Sequence, residues 1–381
     1  MGKPLLNLRG NNPEHYGYGR MIDSLRNELS RHVEFASDAE VALFGILPDV
    51  RDGWLDGQRK AVISMWETDT IPEDLWRFLY LFDTVIVTCE HNRELFSKYH
   101  ANVHTMLLGV DRELWHPKER EPNKQFRIAC GGSHWYRKGL DLVLDVFNEL
   151  ALPDAVLEIK STPADRAAPK EVDYPNVTVH KQWMSQDEEV AWVRSADLFV
   201  AASRGEGFGM MPLQAISAGI PTAVTDRRGQ AEFAHLATHR LSAGLSDANG
   251  GHWAMKGMWD EPNRDELKAA ILDVYRNRET FRAQAVATAP LTAVFSWKAS
   301  ATRLLDIIKP TTKRVTGKWV VPPEVRVNIR VNKRAVADIG AHSVDLCVGK
   351  THNVVLNVRD VLQEGGYIEW ADMTPYPKVV D

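Results

Sequence analysis

Short apolar runs alternate with amphipathic stretches twice over along this chain, and no other feature of the sequence narrows the fold as much. Residues 5–8, 41–46, 61–65 and 84–88 have strand length and are largely apolar, as parallel strands covered by helices on both faces are. After the first of them, Met21, Ile22, Leu25 and Leu29 fall on one helical stripe. Residues 73–82 read as helical or irregular. A polar, proline-bearing stretch at 115–124 reads as a linker, and then the pattern restarts. Residues 126–130, 155–160, 177–180, 198–202 and 222–225 are strand-like, and 140–150 is helical. The capping-box spacing of Ser185 and Glu188 opens a second helix, and Gly219 stops a third over 212–218. The expectation is an α/β protein with two Rossmann-like, doubly wound domains, at residues 1–118 and 119–308, the latter closed by helices over 267–308 with a break at Pro290. From Val325 to Val331 apolar and polar residues alternate with period two, and further short β-like runs follow, so residues 309–381 are expected to form a small β-rich appendage.

Composition excludes several function classes. At 381 residues, 44% hydrophobic and 25% charged, the chain is neither disordered, collagen-like nor a coiled coil. No apolar run approaches the roughly 20 residues of a membrane-spanning helix, and the first eight residues lack a signal-peptide core, so the cytoplasm is the expected location. Cys89, Cys130 and Cys347 show no CxxC spacing and read as buried thiols. His15, His134 and His180 form no metal-ligand pattern, no Asp-x-Asp triplet occurs, and no metal or other cofactor is expected. A Walker loop, a nucleophile elbow and a full dinucleotide fingerprint are also missing, which removes the kinase, hydrolase and dehydrogenase chemistries.

The most informative segment runs from Ser203 through Arg204, Gly205, Glu206, Gly207, Phe208, Gly209, Met210 and Met211 to Gln214, after a strand and into a helix. Small residues allow close approach of a ligand, and the free N–H groups of a helix start suit a phosphate or diphosphate. Glu206 repels such an anion, so the segment makes most sense if that carboxylate accepts hydrogen bonds from ligand hydroxyls, as a sugar would offer. In the first half, Gly17 and Gly19 form a second, weaker glycine signal beside His15, and Glu67 follows a strand at the edge where parallel sheets bind ligands.

Glu206 with the residue eight positions on, Gln214, resembles the paired-glutamate signature of family 4 retaining glycosyltransferases. Other stretches agree in order: Trp66, Glu67, Thr68, Asp69 and Pro72; Leu108 to Asp111 with His116 and Pro117; Arg137, Lys138, Gly139, Leu140 and Asp141; and Phe295, Ser296 and Trp297. The likeness covers most of residues 1–308. It implies the GT-B fold, two facing Rossmann-like lobes with a donor cleft between them, and transfer of a sugar from a nucleoside diphosphate sugar to an acceptor hydroxyl with retention of configuration. It further implies that Glu206 contacts the donor sugar and Lys138 neutralises the diphosphate, with the amides of Gly209, Met210 and Met211 beside Phe208 assisting and Gly17 and Gly19 approaching from the other lobe. Glu67 and His15 are acceptor-side candidates.

Two departures stand out. Gln214 replaces the second glutamate, which costs about 1 kcal/mol of ribose binding. Ser133 stands where the family has an arginine, so the leaving group is one cation short; Arg137, Arg204 or neither replaces it. These departures keep two alternatives in view, a sugar-nucleotide-binding protein on a degenerate scaffold and a nucleotide-sugar epimerase. The acceptor is unspecified. Between 310 and 335, seven basic residues (Lys313, Arg314, Lys318, Arg326, Arg330, Lys333 and Arg334) face one acidic residue in a chain of net charge −5, a patch that suits a polyanion such as nucleic acid or a solvated sheet edge.

Overall fold

A computed structural model of the chain describes residues 2–9, 17–45, 54–72, 76–163, 165, 167–169, 174, 176–248, 256–320, 326–331, 335–339, 342–346, 351–355 and 368–369. The first half forms strands β1 (Leu5–Arg9), β2 (Glu34–Phe35), β3 (Val41–Gly45), β4 (Trp54–Leu55), β5 (Arg59–Ser64), β6 (Thr84–Val87) and β7 (Val103–Thr105), with helices α1 (Gly17–Leu29) and α2 (Glu90–Phe96). All but β4 join one six-stranded sheet in the order β2-β1-β3-β5-β6-β7, with every pairing parallel.

The second half repeats the plan with β8 (Phe126–Gly131), α3 (Leu140–Leu150), β9 (Ala155–Lys160), β10 (Val177–His180), α4 (Gln186–Ser195), β11 (Leu198–Ala201), α5 (Met210–Ser217), β12 (Thr222–Thr225) and β13 (His239–Leu241). These strands make a second parallel six-stranded sheet in the order β10-β9-β8-β11-β12-β13. The repeated alternation read from the sequence is therefore two doubly wound lobes. A hairpin of β14 (Ala243–Asp247) and β15 (Met258–Pro262) follows, then α6 (Arg264–Arg276), α7 (Arg278–Thr288), a 3-10 turn carrying Pro290 and α8 (Trp297–Ile308).

Local chemistry explains the element boundaries. Leu140, Val143, Val146 and Phe147 put one buried stripe on α3. The expected capping box opens α4: Ser185 Oγ accepts from the Glu188 N–H at 3.3 Å, and the Ser185 N–H donates to Glu188 Oε2 at 2.7 Å. Helix α5 starts at Met210, two residues before the expected Pro212. Proline is tolerated there because first-turn N–H groups have no partner inside the helix. Gly17 and Gly19, read as a loop, sit within the first turn of α1.

One apolar cluster runs through both lobes, joining Leu25 and Ile63 to Phe199, Phe208, Leu213 and Phe233, with Leu304 of α8. Helix α8 returns to the first lobe: Ser300 Oγ donates to the Leu107 carbonyl at 2.7 Å, and the Val110 N–H to the Phe295 carbonyl at 2.9 Å. The chain then runs along that lobe rather than directly into an appendage. The Leu5 N–H donates to the Thr311 carbonyl at 2.7 Å, the Val315 N–H to the Asp38 carbonyl at 2.8 Å, and β16 (Trp319–Val320) pairs with β4. Trp115, read as the start of a linker, is instead fully buried, and its carbonyl accepts from Ser217 Oγ at 2.6 Å.

Beyond it, β17 (Arg326–Val331), β18 (Ala335–Ile339), β19 (His342–Leu346), β20 (Thr351–Val355) and β21 (Ile368–Glu369) form small antiparallel sheets, in keeping with the β-rich texture of the tail. Of the basic residues there, Arg314 is paired with Asp38 at 2.6 Å, and Lys333 and Arg334 lie outside the described residues. Cys89 and Cys130 are buried free thiols, the former pushed up to about 12 by burial, and Cys347 is outside the described residues. No described helix is long and apolar enough to cross a membrane.

Candidate active site

The two sheets present their strand ends to each other, and the segment after β11 meets the segment after β5. Their approach is close enough to require glycine: a Cβ on Gly205 would lie 2.2 Å from the backbone oxygen of Glu67. Thr88 Oγ1 then donates to the Gly207 carbonyl at 2.7 Å, and the Met258 N–H to Asp69 Oδ1 at 2.8 Å. The small residues expected to admit a ligand thus also admit the opposite lobe. Gly209, the N-cap of α5, holds φ at 100°, a left-handed conformation that favours glycine, and so leaves the first amides of α5 free of a side-chain cap.

Four ionisable side chains meet at this junction. Lys138 Nζ donates to Glu206 Oε1. Arg137 Nη1 donates to the Gly205 carbonyl at 2.7 Å and lies 3.6 Å from Glu206 Oε2 and 3.8 Å from Glu67 Oε1. The turn between β8 and α3 places both cations, because Ser203 Oγ and the Arg204 N–H hold the Arg137 carbonyl at 3.0 and 2.7 Å. The carboxylates are pushed apart in acidity. Burial raises Glu206, but Lys138 and Arg137 outweigh it and hold the carboxyl below the ordinary glutamate value. For Glu67 burial wins over Arg137, and the nearby Glu206 charge adds to the rise.

Of the expected residues, Glu206, Lys138, Arg137 and Glu67 are therefore brought together. Gly17 faces the same region from α1, with a Cβ position 3.4 Å from Met210 Cε, so the N-termini of α1 and α5 meet. Gly19 and Phe208 are buried in the structure behind it, Met210 and Met211 form the first turn of α5, Ser133 sits half-buried in the β8–α3 turn, and Gln214 is one turn further along α5. His15 lies outside the described residues. Arg204 is not brought in: its guanidinium holds Asp141 at 2.8 and 2.9 Å, Glu261 at 2.9 Å and the Tyr136 carbonyl.

Sequence reasoning missed Tyr18. It stands between the two glycines of α1, and burial, then the Glu67 charge, hold its hydroxyl protonated well above the usual tyrosine range. An aromatic residue enclosed by two glycines at a helix start was the available signal.

Comparison with known proteins points the same way. The family model described as "Family 4 Glycosyltransferase in conflict systems" matches residues 87–304. The lipopolysaccharide core biosynthesis mannosyltransferase LpsB of Rhizobium meliloti is 32% identical over 115 residues, 28% of this chain and 32% of that protein. The chain spans about a third of the length of the characterised relatives it matches. Among solved structures, the sucrose-phosphate synthase of Thermosynechococcus elongatus superposes with a TM-score of 0.55 at 12% identity, over 78% of this chain and 80% of that one. Anabaena HepE in complex with UDP and glucose gives 0.54 at 11% identity, over 81% and 99%. These structures share the GT-B architecture of two facing lobes.

Proposed function

Since the chain belongs to the family 4 glycosyltransferases of conflict systems, we propose that it moves a sugar from a nucleoside diphosphate sugar to an acceptor hydroxyl, with retention of configuration and without a metal ion. One observation carries the reading: Lys138, Arg137, Glu206 and Glu67 converge where the uncapped start of α5 meets the start of α1. That arrangement offers cations and amide donors to a diphosphate and carboxylates to sugar hydroxyls.

In the proposed reaction the anomeric C–O bond breaks and its electron pair leaves with the diphosphate. Lys138 and the amides of Met210 and Met211 take up the charge that grows there; donors of this kind are worth roughly 3 to 4 kcal/mol each in a water-excluded site. The acceptor oxygen forms the new bond on the same face, and its proton passes to the departing phosphate oxygen. Glu206 holds a sugar hydroxyl. Glu67, when ionised, orients the acceptor hydroxyl, and Tyr18 donates to a ligand oxygen between the lobes.

Incubating the protein with a panel of UDP-, GDP-, ADP- and dTDP-sugars should release free nucleoside diphosphate, and EDTA should leave the rate unchanged. Binding without release would instead make the chain a sugar-nucleotide-binding protein, and sugar interconversion without release an epimerase.

A further inference from the structure

We propose that Lys160 and Arg20 form a second diphosphate-contacting subsite, supplying the positive charge missing at Ser133; this rests on the nucleoside diphosphate sugar reading above. The charges already described cancel: Arg137 and Lys138 face Glu67 and Glu206, and Arg204 is spent on Asp141 and Glu261. A departing diphosphate would then meet Lys138 and the amides of α5 with no net positive charge behind them.

Lys160 is the last residue of β9 and pairs in register with Gly131, the last residue of β8. It stands at the carboxyl end of the sheet, where open α/β sheets bind ligands. Its carbonyl accepts from the Gly132 N–H at 2.9 Å, while a Cβ on Gly132 would lie 2.8 Å from Lys138 Cε. Lys160 and Lys138 therefore flank the turn that carries Ser133. The Lys160 ammonium donates to Glu189 Oε2 at 2.9 Å, and the same oxygen accepts from Arg20 Nη1, reaching over from the first turn of α1.

Glu189 lies on the buried face of α4 with Val190, Trp192 and Val193, its side chain 2% exposed. A carboxylate buried among apolar residues costs several kcal/mol unless paired. One partner would satisfy that need; two leave a surplus positive charge, drawn from both lobes, beside the donor turn. A diphosphate lying along the start of α5 would meet Lys138 on one side and the surplus charge on the other.

The test is calorimetric titration with inorganic pyrophosphate, UDP and GDP, and with uridine and guanosine as phosphate-free controls. Lys160→Gln and Arg20→Gln should each weaken diphosphate binding about tenfold, as loss of one charged hydrogen bond does, and leave nucleoside binding unchanged. Lys160→Arg should stay near wild type. Glu189→Gln separates a binding site from a structural latch: freed of a competing carboxylate, the cations should hold the diphosphate as tightly or more tightly. Equal diphosphate binding by wild type, Lys160→Gln and Arg20→Gln overturns the proposal, as does a Glu189→Gln loss as large as that of Lys160→Gln. If Lys160→Gln fails to fold, Arg20→Gln, at a partly exposed side chain, decides alone. A wild type that binds none of the diphosphates removes the donor reading together with this one.

Discussion

Two arginines flank the same glycine segment and carry opposite duties. Arg204 has every guanidinium nitrogen engaged by Asp141, Glu261 or the Tyr136 carbonyl. Arg137 makes one hydrogen bond to the Gly205 carbonyl, lies 3.6 and 3.8 Å from two carboxylates, and its buried Nε meets no acceptor. A saturated fork fastens α3 and β15 to the loop and has nothing left for a ligand. An unsaturated one, desolvated between the lobes, is strongly polarising and available. An arginine's place in a motif is thus less informative than how many of its five donors are already taken.

Removing the anionic partner of this cluster should have the largest effect. Glu206→Ala is expected to lower kcat/KM about 10² to 10³-fold in folded protein, and near-normal turnover would remove that residue from the reaction. The arginine contrast comes next. Arg137→Ala should cost kcat/KM on the order of 10²-fold. Arg204→Ala should leave kcat/KM within about threefold and lower stability by roughly 1 to 3 kcal/mol, because Asp141 and Glu261 lose their partner. The comparison breaks if thermal melts and kinetics show the reverse, with Arg204→Ala active only weakly and Arg137→Ala fully active but less stable.

A pH profile sharpens the difference between the two carboxylates. Glu67 keeps its proton to a higher pH than an exposed glutamate does, and Glu206 loses its proton earlier. If ionised Glu67 orients the acceptor, kcat/KM falls as pH drops through that raised value, about tenfold per unit. Glu67→Gln should abolish this limb and lower the plateau by about an order of magnitude. The stability sign is opposite to that of an ordinary paired acid. The penalty on buried ionised Glu67 is absent below the usual glutamate value and complete above the raised one, so Glu67→Gln should stabilise the protein more in alkaline than in acid buffer.

Much of the fold was legible because its signals are local. The apolar runs at 126–130 and 155–160, the stripe on α3 and the Ser185–Glu188 box each depend on residues within one element, and the structure places them within a residue or so. The segment with Glu206 and Lys138 was legible for the same reason. What sequence could not supply was pairing across lobes. Glu189 looks like one more acidic residue in QDEE, and only the approach of Arg20, 169 positions away, gives it meaning. Tyr18 reads as a helix-start aromatic until Glu67 and Arg137 surround it. The route of 311–320 along the first lobe was equally hidden, since Arg314 and Val315 reveal nothing of Asp38 until the chain has closed.

The smallest effect concerns the other departure from the family signature. Gln214 lies on α5 one turn after the amides that face the junction, and the neutral amide still accepts a hydrogen bond from a ribose hydroxyl. A carboxylate would make that bond charge-assisted, roughly doubling its strength. Against this stands the field of Glu206, eight residues back in the loop before α5 and held ionised by Lys138 and Arg137. The gain in Gln214→Glu should therefore be only about 1 kcal/mol, some fivefold in nucleoside diphosphate affinity, and it should vanish for inorganic pyrophosphate, which has no ribose. An equal change with pyrophosphate would mean that position 214 reads charge rather than a hydroxyl, and that the contrast between saturated and available groups does not extend to this side chain.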